Sequence, residues 1–222
     1  MRTLDDILAI SVGRKGSVDA IFDGFTPAKS RAELQATPDD RWLAAMTRAI
    51  FNAGFNWKVV DAMWPGFETA FKGFEPGPCS MMDDVWFDAL ITNTDIVRHG
   101  PKIRAVQENA VFVRAEAEAH GSFGAFIGNW PVEDFAGLLA YLKTNGTRLG
   151  GTTGQYFLRF MGVDGYILSR DVVARLIAES VIDKPPTSKG AMKAVQAAFT
   201  DWHQTSGRSL KEISRILATS TG

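Results

Sequence analysis

Residues 149–173 read LGGTTGQYFLRFMGVDGYILSRDVV. They open on a tight glycine turn, Leu149-Gly150-Gly151-Thr152-Thr153-Gly154, followed by a short apolar helix over residues 155–161. A glycine-containing connection then leads to Asp171, on or just before another helix. A helix, a glycine hairpin and a second helix present several free backbone N–H groups at one point. That geometry suits an anionic oxygen, most simply a nucleic-acid phosphate. An acid placed beyond the hairpin can face whatever the phosphate delivers. In isolation the same residues also satisfy a capped helix followed by a surface aspartate, so the rest of the chain decides.

Working outward, the pattern is helical throughout. Residues 39–53 place Trp42, Leu43, Met46, Ile50 and Phe51 on one stripe, with Asp39 or Asp40 as the cap. Gly54 ends that helix, and Phe55-Asn56-Trp57 turns into another over residues 58–63. Residues 80–90 read as a helix with Asp83 and Asp84 in its first turns, favourable for the helix dipole. Residues 102–118 form the longest helical pattern, with Ile103, Val106, Ala110 and Val113 on its buried face. Downstream, residues 171–182, 188–204 and 209–218 are helical in pattern, and Pro185-Pro186 ends the first of them. No segment alternates enough to demand a strand. The chain reads as all-α, with about ten helices.

Composition sets the bounds. The 222 residues are 45% hydrophobic and 22% charged, as expected of one globular domain. Cys79 is the single cysteine, which excludes an internal disulfide, a Cys-ligated cluster and a Cys-rich zinc site. No run is long enough for a membrane span, and Asp5 and Asp6 stand where a secretion signal would be basic. A cytoplasmic, nucleoid-associated location is the expectation. Charge is uneven: residues 1–140 carry 13 Lys/Arg against 19 Asp/Glu, and residues 141–222 carry 11 against 6. The basic portion contains the hairpin, which suits a polyanionic partner.

The chemistry narrows by elimination. There is no phosphate-binding Walker loop, no dinucleotide fingerprint and no paired-histidine helix, and His99, His120 and His203 are scattered. No cofactor and no metal site are expected. What remains is an aspartate beyond a glycine hairpin and an aromatic turn at residues 55–57. An aspartate can stabilise an oxocarbenium-like centre and orient water. Aromatic faces can stack on a nucleobase removed from its helix. Together they fit excision of a base from DNA.

Residues 149–173 resemble the helix-hairpin-helix and Gly-Pro-Asp region of the DNA glycosylase superfamily typified by endonuclease III. There a glycine hairpin is followed by a helix and the catalytic aspartate; here Gly151 and Asp171 have similar spacing. Bifunctional members of that superfamily carry a Schiff-base lysine two residues after the glycine, where this chain has Thr153. The resemblance implies a monofunctional enzyme without lyase activity.

A second resemblance is to the 3-methyladenine DNA glycosylase I branch. Ala53-Gly54-Phe55-Asn56-Trp57 looks like its Ala-Gly-Leu-Ser-Trp turn, and Phe67, Ala70, Phe71 and Phe74 continue the pattern. Ile96-Val97-Arg98-His99, Lys102-Ile103, Ala105 and Asn109-Ala110 look like its second block, and Gly151-Thr152-Thr153 match its hairpin. The departures are specific. The branch's base-recognising glutamate is replaced by Ala49, and its zinc ligands have no counterpart here. Asp171 is present although the branch does not use that aspartate in the usual role.

The resemblance implies a two-lobed helical glycosylase over residues 1–222: divergent helices at 1–40, the core at 41–182 and closing helices at 183–222. It implies a monomer acting on double-stranded DNA that contains a damaged, alkylated purine. Asp171 would be catalytic. Trp57, Phe55 and Trp42 would form the base pocket, and Asn56 would enter the duplex. Gly150, Gly151, Thr152, Thr153 and Gly154, with Arg148, Arg170 and Lys189, would bind phosphate. A non-catalytic DNA-binding module on the same scaffold is the alternative, and Ala49 is what speaks for it. A third reading is an all-α interaction protein that merely contains a glycine turn.

Overall fold

In the computed structural model residues 1–221 are described. They form fifteen α-helices and two short 3-10 segments, and no strand occurs among the described residues. The chain divides into two compact units that do not follow chain order. One comprises residues 1–29, 131–138 and 162–222; the other comprises 30–130 and 139–161.

The second unit is built around the helix Asp39–Asn52, whose Trp42, Leu43, Met46, Ile50 and Phe51 are buried. It packs against the longest helix, Gly100–His120, which buries Ile103, Val106, Ala110 and Val113. Both stripes are those predicted by the 3.6-residue periodicity. Each of the larger aliphatic and phenyl side chains among them contributes about 1.5–3 kcal/mol by leaving water. Trp64, Phe67, Phe71 and Phe74 form a closed cluster in which each ring packs near-parallel to two others, with centroid spacings of 5.4–6.2 Å. The helix Phe123–Gly128 meets Arg31–Gln35 so closely that a Cβ on Gly124 would run into the Leu34 carbonyl.

The first unit packs Leu4–Lys15, Val18–Phe22, Arg170–Ala178, Lys189–Ser206 and Leu210–Thr219 around Ile7, Ile21, Tyr166, Phe199, Trp202 and Ile213. Reciprocal capping boxes at Thr3/Asp6 and Ser209/Glu212 start its first and last helices. The buried Glu179 carboxylate accepts from the Arg2 amide at 2.9 Å, the Arg2 guanidinium at 2.8 Å and Arg175 at 3.3 Å. Arg175 also donates to the Ser220 hydroxyl at 2.7 Å, so this network fastens both ends of the chain.

Three local expectations are corrected. Asp39 and Asp40 do not cap their helix. Pro38 occupies the cap position, and Asp39 instead accepts from the Phe123 amide at 2.9 Å. The helix expected at residues 80–90 is two, Pro76–Ser80 and Asp84–Thr92, because Asp83 caps the second through the Trp86 amide at 2.7 Å. The count of about ten helices falls short because several real helices have only five or six residues, too few to show a period.

Candidate nucleic-acid interface

The helix Phe135–Asn145 ends at Gly146, whose amide donates to the Leu142 carbonyl at 3.0 Å. A Cβ there would lie 2.6 Å from the Leu149 side chain, so the sharp exit requires glycine. Thr147 is held from the middle of the longest helix. Its amide donates to Asn109 Oδ1 at 2.8 Å, and its carbonyl accepts from Asn109 Nδ2 at 3.0 Å. Arg148 and Gly151 both turn left-handed, each at φ 61°, while Leu149 between them is buried and anchors the loop.

The next helix begins at Thr152, earlier than the apolar pattern from residue 155 suggested. Thr152, Thr153 and Gly154 therefore form its first turn. Their N–H groups have no intrahelical acceptor by geometry and carry the positive end of the helix dipole. Gly154 packs against the loop, where a Cβ would meet the Leu149 carbonyl. Arg148, Gly151 and Thr152 are exposed, and Gly150 and Thr153 are half-buried. The result is a turn of N–H groups, with Arg148 at its rim, whose geometry suits an anion.

The same helix carries the aromatic site. Phe157 and Leu158 are buried, whereas Tyr156 and Phe160, four residues apart, lie on another face with stacked rings 5.9 Å apart. Trp57 makes T-shaped contacts with Tyr156 at 5.3 Å and with Phe160 at 5.7 Å. It remains 41% exposed, and Phe55 beside it is 42% exposed. Gly54 at φ 76° makes the turn, and the Phe55 amide donates to the Asn52 carbonyl at 3.1 Å. Asn56 caps the helix Trp57–Ala62, its side-chain oxygen accepting from the Lys58 amide at 3.0 Å.

Lys102 fastens this turn from below. Its buried Nζ donates to the Phe51 carbonyl at 3.2 Å and the Ala53 carbonyl at 2.7 Å, and it lies 4.6 Å from the Phe55 ring centroid. Burial, and then the charge of Arg148, hold its ammonium below the ordinary lysine range.

Trp42 is a correction. It has no exposed surface, its Nε1 donates to the Thr37 carbonyl at 3.2 Å, and its ring packs on Phe123 and Phe157. It is a core residue rather than a pocket wall. Ala49 is also buried. Asp171 is the second residue of the helix Arg170–Ala178, which Ser169 caps. Its carboxylate is half-buried and makes no hydrogen bond or ion pair among the described residues, and only its backbone carbonyl is engaged, by Thr221 at 2.9 Å. Arg170 and Lys189 are exposed on the same unit as Asp171, whereas Arg148 and the hairpin belong to the other.

Tyr156, Phe160 and Asn109 were missed from the sequence as parts of the site. The four-residue spacing of Tyr156 and Phe160 was a usable signal. Asn109's brace on Thr147 depends on a contact 38 positions away, which its place in the Asn109-Ala110 block did not reveal.

An all-helical chain with a glycine hairpin of this geometry defines a class: the fold is that of the helix-hairpin-helix DNA glycosylases. The 8-oxoguanine DNA glycosylase of Methanocaldococcus jannaschii aligns with a TM-score of 0.56 at 16% identity, over 95% of this chain and 89% of its own. The 3-methyladenine DNA glycosylase I of Staphylococcus aureus aligns with a TM-score of 0.52 at 23% identity, over 69% of this chain and 91% of its own. Within that class, residues 35–137 match the methyladenine glycosylase family. No curated protein matches the chain. The chain thus resembles the glycosylase superfamily in fold, and its methyladenine branch in the segment that carries the aromatic turn.

Proposed function

We propose that this chain is a monofunctional DNA glycosylase of base excision repair, hydrolysing the N-glycosidic bond of a flipped, alkylated purine such as 3-methyladenine. One observation carries the reading. A single helix, Thr152–Met161, opens with the phosphate cradle and then supports the exposed Trp57 on Tyr156 and Phe160. Backbone grip and base stacking are thereby joined. The match of residues 35–137 to the methyladenine glycosylase family supports the substrate class.

In this reading the segment from Gly150 to Gly154 and Arg148 hold a backbone phosphate, and Arg170 and Lys189 contact others. Unstacking the target costs a few kcal/mol, least for a damaged base. Trp57 stacks on the flipped base and Phe55 walls it. Asn56, to enter the emptied position, releases the Lys58 amide that it caps. The glycosidic electron pair passes to the alkylated base, which already carries positive charge and so leaves neutral. Asp171 stabilises the oxocarbenium ion left on the deoxyribose and orients the water that adds to C1′, whose proton goes to solvent. A lyase would need an amine nucleophile, and the helix TTGQYFLRFM after the hairpin contains no lysine.

Single-turnover excision from methylated duplex DNA tests the proposal. Asp171→Asn should slow release by on the order of 10²–10⁴-fold. An unchanged rate removes Asp171 from the mechanism. Salt-sensitive DNA binding without excision of any lesion by the wild type would replace the enzyme with a non-catalytic DNA-binding module, the reading that Ala49 favours. Salt-insensitive or absent binding would leave the interaction-protein reading.

A further inference from the structure

The segment that follows Phe74 carries an apolar face that the fold leaves open. Val85 is 80% exposed and Met81 75%, the highest values among the large apolar side chains of the described residues. Packing does not use them: the side chains this segment buries are Cys79, Met82 and Leu90. Three residues of the helix Gly100–His120 hold the segment in place. Gln107 donates to the Met82 carbonyl at 2.8 Å, Arg114 donates to the Ser80 hydroxyl at 2.8 Å, and Arg104 lies over the Phe87 ring at 4.1 Å. Val111, 53% exposed, is one turn from both Gln107 and Arg114, so it lies on the same side as Met81.

Charge then selects the occupant. Residues 73–97 contain Glu75, Asp83, Asp84, Asp88 and Asp95 and no lysine or arginine. Asp84 and Asp88 are exposed one turn apart on the helix that carries Val85, and Arg104 comes no closer to the Asp84 carboxylate than 3.9 Å. Such a face repels phosphate, whether of DNA or of a membrane surface, and attracts cations. An exposed apolar patch with a charged rim marks an interaction site. By the helical period Val111 is turned about 180° from Lys102 and about 160° from Asn109, the residues that brace the aromatic turn and the hairpin.

We infer that this face docks a partner protein through a basic amphipathic segment, whose apolar side chains cover Met81, Val85 and Val111 while its lysines or arginines meet Asp84 and Asp88. The inference stands on the patch and its charge alone. On the glycosylase reading it adds that partner and DNA are held at the same time, because the patch faces away from the turn and the hairpin.

The test titrates the isotope-labelled full chain with a short synthetic helical peptide, leucine on one face and lysine on the other. The peptide should shift the amides of residues 80–92 and 104–114 and leave those of 147–154 in place. The same peptide with glutamate for lysine should not bind. Met81→Ser/Val85→Ser should weaken the lysine peptide about 10–100-fold, through lost burial of two apolar side chains. Asp84→Asn/Asp88→Asn should weaken it more at low salt than at high. Thermal midpoints should match wild type, because all four residues are exposed. Undiminished affinity in Met81→Ser/Val85→Ser, binding of the glutamate peptide, or shifts confined to other residues overturns the inference. A concentration-dependent dimer in sedimentation, abolished by Met81→Ser/Val85→Ser, overturns it in favour of a second copy of this chain. Duplex binding should be unchanged in that variant, and its loss would make the face part of the DNA contact, which also overturns the inference. If the wild type binds no DNA, the glycosylase reading falls while the peptide titration still decides the docking surface.

Discussion

Trp57 meets Tyr156 at right angles, ring centroids 5.3 Å apart and planes at 90°, and stays 41% exposed, so the ring is held while part of its surface is left to solvent. Edge-to-face packing of this kind fixes the plane of the ring. A free tryptophan on a loop would have to be ordered on binding; this one is oriented beforehand, and less is lost when a base arrives.

Trp57→Ala should weaken binding to a lesion-containing duplex by about 1–3 kcal/mol, the usual value of one base-stacking platform. Trp57→Phe should recover most of it. Tyr156→Ala, which removes only the support, should fall between them. Fluorescence anisotropy with matched lesion and undamaged duplexes gives the three values, and equal losses on both duplexes would assign Trp57 to general packing.

The hairpin glycines differ in what they require. At Gly151, φ is 61° and no atom lies within 4 Å of a built Cβ, so Gly151→Ala should cost only the left-handed strain, about 1–2 kcal/mol. At Gly154 a methyl meets the Leu149 carbonyl, so Gly154→Ala must displace the loop from the helix. That should cost about 1–3 kcal/mol and also weaken DNA binding. Thermal melts and binding isotherms of the two variants should diverge accordingly.

Lys102→Met keeps the aliphatic stem and removes the donor to Phe51 and Ala53. Two carbonyls then lose a partner, and about 1–3 kcal/mol of stability should go with them. The turn carrying Phe55 should loosen, visible as faster exchange of its amide protons and a shifted Trp57 emission. Unchanged exchange at residues 53–57 would show that the turn holds itself.

Glu179 supplies a pH dependence with a definite sign. Burial pushes its carboxyl up, but hydrogen bonds from the Arg2 amide and guanidinium and from Arg175 outweigh it, leaving the group below the ordinary glutamate range. A carboxyl depressed in the folded state adds stability above its unfolded pKa and loses it as pH falls through the folded one. Glu179→Gln should therefore be less stable than wild type at pH 7, with the gap closing under acid. Urea midpoints at pH 7 and pH 3 measure this; a constant gap would mean that lost packing, rather than charge, is responsible.

Much of this was legible in the sequence, and the reasons are physical. The stripes of residues 39–52 and 100–120 are long enough for a period to declare itself, so fold class and core followed. The glycine turn announced the hairpin because glycine takes the left-handed backbone at Gly151 without strain. What the chain could not disclose depended on partners distant in sequence. Trp42 looked like a ligand face until Phe123 and Phe157 were seen to enclose it. Asp39 looked like a cap until Phe123's amide claimed it. Lys102 carries a charge, and no local pattern predicts that a charge will be buried beneath a turn.

The reciprocal bonds between Asn109 and Thr147 have a consequence for recognition. A loop that sets its own shape can yield to whatever it touches; this one is braced by a helix that does not belong to the hairpin. If the proposed function holds, the protein would meet a duplex with a stiff template, and the adjustment would have to come from the DNA. Damage that softens the double helix would ease that adjustment, and intact pairing would resist it. Mechanical compliance of the substrate would then be a criterion of selection before any base leaves the stack.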